Sequence, residues 1–155
     1  MKVGILIITH SDIGKQLLLT AISVFGKNPF QVELLSVDNY DQPNDMKQLA
    51  EKYVNFLDKG RGVLVLTDVI GTTPSNIASS IEHKNIKIVA YSSLVPLEGW
   101  RAKPNQDSAK SQSMKEDGAD NSSPFKRMAK KYGVSEAQIL LKWGLQMGFV
   151  ILPKS

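Results

Sequence analysis

Cysteine is absent from this sequence. Its absence removes any disulfide framework and any thiolate metal site, and it is compatible with a reducing compartment. No apolar stretch is long enough to span a bilayer. The apolar run after Met1-Lys2 is not followed by a small-residue cleavage pattern, so the chain is expected to be soluble and cytoplasmic. A third absence is local. From Arg101 to Pro124 there is no Val, Ile, Leu, Phe, Tyr or Trp. A segment of that composition buries too little apolar surface to offset its ordering entropy, and residues 101–124 are expected to form a long mobile loop. No aromatic residues interleave with the basic run Lys126-Arg127 and Lys130-Lys131, and no nucleic-acid-binding motif accompanies it, so a solvated helix face is expected rather than a nucleic-acid surface.

What is present has the size of one ordinary domain, at 155 residues with a formal net charge of +4. Residues 1–88 balance nine Lys/Arg against nine Asp/Glu, while residues 89–155 carry ten against six. The whole excess therefore lies in the second part.

Hydrophobic patterning alternates between two periods. An apolar strand over 3–9 is closed by His10. Ile13, Leu17, Leu18, Ala21, Ile22 and Phe25 then recur at helical spacing, with Gly26 as a stop and Ser11 as the expected cap. A strand at 32–37 precedes a helical stripe of Met46, Leu49, Ala50, Tyr53, Phe56 and Leu57. A strand at 63–67, a helix from Pro74 to Ile81 and a strand at 86–91 follow. Beyond Ser123-Pro124 a short helix covers 125–132. Ser135 with Gln138 forms a capping box that opens a helix from Ala137 to Met147, and 149–152 reads as a last strand. This order predicts an α/β fold, a three-layer α/β/α domain with a mainly parallel sheet of about five strands.

Open α/β sheets place their chemistry at the carboxyl ends of strands, at the point where strand order reverses. His10 stands at one such end. Asp68 stands at another, running into Gly71-Thr72-Thr73-Pro74. If strands one and three are neighbours, an imidazole and a carboxylate meet beside two helix amino-termini. A neutral imidazole nitrogen can attack a phosphoryl group while a carboxylate on the other nitrogen fixes the tautomer. Helix-start N–H groups and threonine hydroxyls can hold the phosphoryl oxygens. The candidate site is therefore His10 and Asp68 as reacting groups, with Gly71, Thr72 and Thr73 as phosphate binders. No metal-ligand spacing occurs and no cofactor is called for. Simpler readings stand beside these: His10 as a hydrogen-bonded strand-end histidine, Asp68 as a helix cap, His83 as solvated, and Trp100 and Trp143 as packing.

Two resemblances follow from particular blocks. Residues 1 to about 89 resemble the IIA component of the mannose/fructose class of the sugar phosphotransferase system, through Gly4-Ile5-Leu6-Ile7-Ile8-Thr9-His10 and Leu66-Thr67-Asp68-Val69-Ile70-Gly71-Thr72-Thr73-Pro74-Ser75-Asn76. The resemblance implies a flavodoxin-like head, a phosphorylated histidine at His10 and its hydrogen-bonding aspartate at Asp68. It further implies an HPr-like phosphodonor and a IIB-type acceptor as partners, and leaves a homodimer open. That family's downstream glycine-asparagine and proline-methionine segment and its edge strand are not recognisable here. Residues from about 88 to 155 are similar to a fragment of an aldo-keto reductase, through Ala90-Tyr91-Ser92-Ser93-Leu94, Ala137-Gln138-Ile139-Leu140-Leu141-Lys142-Trp143 and Val150-Ile151-Leu152-Pro153-Lys154-Ser155. This second likeness implies a βαβ piece of a TIM barrel, with phosphate contacts to NADP at Ser92, Lys154 and Ser155, but no reductase activity. Together they divide the chain into 1–89 and 90–155, merged into one domain. The functional expectation is a histidine phosphocarrier, set against an inactive fold chimera and a weak NADP-binding module.

Overall fold

The computed structural model describes residues 2–27, 31–91 and 124–152. The expected loop at 101–124 lies almost entirely outside them, as do Ser92, Trp100, Lys154 and Ser155. The element order is β1 (Gly4–His10), α1 (Ile13–Phe25), β2 (Gln31–Val37), α2 (Pro43–Leu57), β3 (Val63–Val69), α3 (Thr73–Ser80), β4 (Ile86–Tyr91), α4 (Pro124–Tyr132), α5 (Glu136–Gln146) and β5 (Phe149–Ile151). The five strands form one sheet in the order β2-β1-β3-β4-β5, and every neighbouring pair is parallel. This is the α/β architecture that the alternating pattern implies. Each boundary lies within a few residues of its expected place.

The sheet reads as continuous apolar runs because both of its faces are covered near the centre. On one face Leu6, Ile8, Val65, Ile88 and Phe149 pack with Ala50, Val54 and Leu57 of α2 and Ile77 of α3. Ile7 and Thr9 point to the other face, where α1 lies close enough for Thr9 to accept a hydrogen bond from Gly14. Leu6, Ile8 and Val65 are fully buried. Truncating Leu6 or Ile8 to alanine would cost about 2–5 kcal/mol.

Two details of the helices differ from the sequence reading. α1 meets the sheet along Gly14, Leu18 and Ile22, while Ile13, Leu17 and Phe25 are exposed. The contact with Thr9 pins Gly14 inward and rotates the expected apolar stripe partly outward. Ser11 is not the cap of α1. The cap position is Asp12, whose side chain makes no capping hydrogen bond, and Ser11 instead takes the left-handed backbone described below. The capping box at α5 is formed as expected: Ser135 accepts from the Gln138 backbone, and the Gln138 side chain accepts from the Ser135 N–H.

Among the described residues, no helix is long and apolar enough to cross a membrane.

Candidate functional site

Strand order puts β1 and β3 side by side, with β2 on one flank and β4 on the other. The chain leaves β1 toward β2 and leaves β3 toward β4, in opposite directions. The carboxyl ends of β1 and β3 therefore flank a crevice, with the amino-termini of α1 and α3 at its rim. His10 ends β1, and Asp68 lies one residue from the end of β3.

The two side chains meet. Nδ1 of His10 lies 2.7 Å from Oδ2 of Asp68, and that oxygen also accepts the backbone N–H of His10 at 2.9 Å. A carboxylate only accepts, so this contact assigns the proton to Nδ1 and leaves the Nε2 lone pair unprotonated. Asp68 is nearly buried, whereas the His10 side chain is 35% exposed. The carboxylate is held in place while the imidazole presents one edge to solvent.

A β-bulge aims Asp68. Thr67 pairs with Ala90 and Val69 with Tyr91, so Asp68 is an extra residue in β3. Bulges of this kind redirect a side chain at the cost of one ladder step. Nothing local in Leu66-Thr67-Asp68-Val69 announces the irregularity.

On the other side of His10, Ser11 holds a positive φ of 43°, an uncommon conformation for a residue with a side chain. Its N–H donates to Val37 at 3.2 Å, and its hydroxyl donates to Asp38 at 2.7 Å. The sharp turn ties the end of β1 to the end of β2, and α1 starts two residues later at Ile13. Thr9 completes this mounting from within the sheet, its buried Oγ1 accepting the Gly14 N–H at 2.8 Å. Sequence reasoning assigned neither Thr9 nor Asp38 to the site. Both act through contacts that carry no periodic signal.

The turn after Asp68 is self-bonded. The Gly71 N–H donates to Ser75 Oγ at 2.8 Å, and the Ser75 hydroxyl donates to the Thr72 carbonyl at 2.9 Å. The Thr72 hydroxyl donates to the Val69 carbonyl at 2.6 Å and lies 3.4 Å from Asp68 Oδ1. Gly71 and Thr72 thus direct their polar groups into the turn itself. Thr73, the third expected phosphate binder, is exposed on the first turn of α3. Asp68 does not cap this helix, whose cap position is Thr72.

His83 is half-buried rather than solvated. Its Nδ1 accepts from the Asn85 N–H at 3.2 Å, and its Nε2 lies 3.7 Å from Asp58. Trp143 packs beside Gly71, in keeping with a packing role. Among the described residues, no group of three or more His, Cys, Asp or Glu could hold a metal ion.

Comparison with known proteins gives two kinds of likeness. A family model described as the PTS system fructose IIA component matches residues 4–114. Among solved structures, the chain is similar to the PTS IIA protein associated with the fucose utilization operon from Streptococcus pneumoniae. The two are 22% identical, with a TM-score of 0.53, over 83% of this chain and 96% of that one. It is also similar to the mannose/sorbose specific IIA subunit of the phosphotransferase system from Enterococcus faecalis, at 16% identity and a TM-score of 0.48, over 100% of this chain and 99% of that one. No curated protein matches the chain. The family match runs past residues 89 and 90, where the two sequence resemblances meet. The comparisons lend no support to an aldo-keto reductase fragment or to a chimera.

Proposed function

The chain belongs to the PTS fructose IIA family, the phosphocarrier components of the sugar phosphotransferase system, and from that premise we propose that it carries its phosphoryl group on Nε2 of His10. The observation that supports this most is the 2.7 Å contact between His10 Nδ1 and Asp68. With the Nδ1 proton committed to the carboxylate, the lone pair of Nε2 is the nucleophile. It attacks the phosphorus of a phosphohistidine on an HPr-like donor. The new bond is Nε2–P; the bond that breaks is the donor's N–P bond, whose electron pair returns to the donor imidazole. His10 keeps its Nδ1 proton, and the positive charge that develops on its ring faces Asp68. Transfer onward to a IIB-type acceptor runs the same exchange in reverse.

Thr73, exposed on the first turn of α3, is the group best placed to meet phosphoryl oxygens, with the amino-terminus of the helix adding favourable partial charge. Gly71 and Thr72 act one step back, by fixing the turn that starts α3. The protein works in the cytoplasm, where both partners are reached by diffusion.

Incubation of the full chain with a phosphorylated donor tests the reading. The expected product is an acid-labile, base-stable label, lost in His10→Ala and retained in His83→Ala. Absence of label on the unsubstituted chain would overturn it.

A further inference from the structure

α5 is remote from His10 in sequence, yet it is packed on the turn that follows Asp68. Trp143 and Gly144 straddle the Ile70-Gly71 pair. A Cβ built on Gly71 would lie 3.5 Å from Cη2 and 4.0 Å from Cζ3 of Trp143, so the indole occupies the space beside that backbone. A Cβ built on Gly144 would lie 3.1 Å from Cδ1 of Ile70 and 3.0 Å from Cγ2 of Ile151. At Gly144 the helix therefore packs closely on the side chains of Ile70 and Ile151. Glycine inside a helix costs about 1 kcal/mol relative to alanine, and here the close approach offsets that cost.

From Gly71 the contacts run inward to the imidazole. Gly71 bonds Ser75, Ser75 bonds the Thr72 carbonyl, Thr72 stands beside Asp68, and Asp68 holds His10. Gly71 itself has a φ of 85°, a conformation with no side chain of its own to wedge it in place. The turn has hydrogen bonds on its inner side and the indole on its outer side. Gly71 is itself exposed, and the indole stands along one side of it.

We propose that Trp143 is a positioning residue for phosphoryl transfer: its indole braces the 70–73 turn, so that Asp68 keeps the His10 imidazole aimed. This rests on the reading of His10 as the accepting group. Trp143 is 38% exposed, so it is a brace at the rim of the site rather than a core residue.

The test is the rate of labelling of the full chain by a phosphorylated HPr-like donor. Trp143→Ala is expected to lower kcat roughly tenfold, since small misplacements of reacting groups have effects of at least that size. KM for the donor and the final extent of labelling at His10 should stay as they are, and Trp143→Phe should restore most of the rate. An unchanged kcat in Trp143→Ala overturns the proposal. A rise in KM alone overturns it too, since that would make Trp143 a docking residue. If Trp143→Ala fails to fold, Trp100→Phe leaves Trp143 as the one indole of a chain with two tryptophans. Its emission should then shift when His10 is phosphorylated, and emission that does not change contradicts the brace. An unsubstituted chain that takes no label defeats the His10 reading itself. Full labelling of the unsubstituted chain with a normal rate in Trp143→Ala defeats only the brace.

Discussion

The two histidines of this chain each face an aspartate, at opposite edges of one sheet, and they are built for different work. At the carboxyl edge, Nδ1 of His10 is bonded to Asp68 at 2.7 Å, and no described residue hydrogen-bonds Nε2. At the amino edge, the Nδ1 lone pair of His83 is already taken. Nδ1 accepts from the Asn85 backbone, which assigns the proton to Nε2, and Nε2 faces Asp58 at 3.7 Å, too long for a hydrogen bond. Asp58 is itself committed to the backbone N–H groups of Gly60 and Gly62, at 2.8 Å and 3.0 Å. An imidazole beside a carboxylate is therefore not sufficient for nucleophilic chemistry. What separates the two pairs is a free nitrogen lone pair at an accessible edge, with a carboxylate whose remaining contacts fix it toward the ring.

The sharpest way to break this contrast is at the carboxylates. Asp68→Asn should slow phosphoryl transfer by roughly a hundredfold or more, because the amide can no longer hold the Nδ1–H tautomer as an anion does. Asp58→Asn should leave the rate unchanged. Labelling kinetics of the two variants check this, and equal effects would erase the distinction. Next in size is Gly71→Ala. A side chain at a φ of 85° costs about 1–2 kcal/mol, and the strain falls on the turn that holds Thr72 beside Asp68. Both the melting temperature and the transfer rate should fall, whereas a change in melting temperature alone would detach the turn from the chemistry.

How much of this was legible in the sequence follows the range of each interaction. The strands and helices were readable because apolar runs and helical spacing are local. His10 and Asp68 were readable because each ends a strand, and strand ends are where α/β sheets converge. The bulge that aims Asp68, the Thr9–Gly14 bond and the Trp143–Gly71 packing were not, since each depends on partners from another element. The exposure of Ile13 and Leu17 was missed for the same reason: a side chain outside the helix sets how α1 rolls on the sheet.

Smaller effects sharpen the amino edge. The Gly62 N–H, followed by that of Gly60, holds the Asp58 carboxyl below the usual carboxylate range. A folded-state value below the unfolded one gives stability that is fully present above the unfolded value and is lost as pH falls through the folded one. Asp58→Asn should therefore lower stability near neutrality and flatten the acid limb of a melting-temperature profile. A profile parallel to that of the unsubstituted chain would contradict that origin. The smallest effect belongs to Thr67, whose buried Oγ1 has no hydrogen-bond partner among the described residues. Thr67→Val removes an unsatisfied hydroxyl at nearly constant shape and should raise stability by about 1 kcal/mol in denaturant titration. A loss of stability would mean the hydroxyl has a partner in solution.

The contrast between the two imidazoles is tested most directly by long-range nitrogen–proton correlation spectra of the histidine rings, recorded before and after phosphorylation. The expected spectrum of the free protein shows His10 as the Nδ1–H tautomer and His83 as the Nε2–H tautomer, with phosphorylation moving only the His10 resonances and attaching at Nε2. A His10 ring protonated on Nε2, or a phosphoryl group on Nδ1 or on His83, would contradict it.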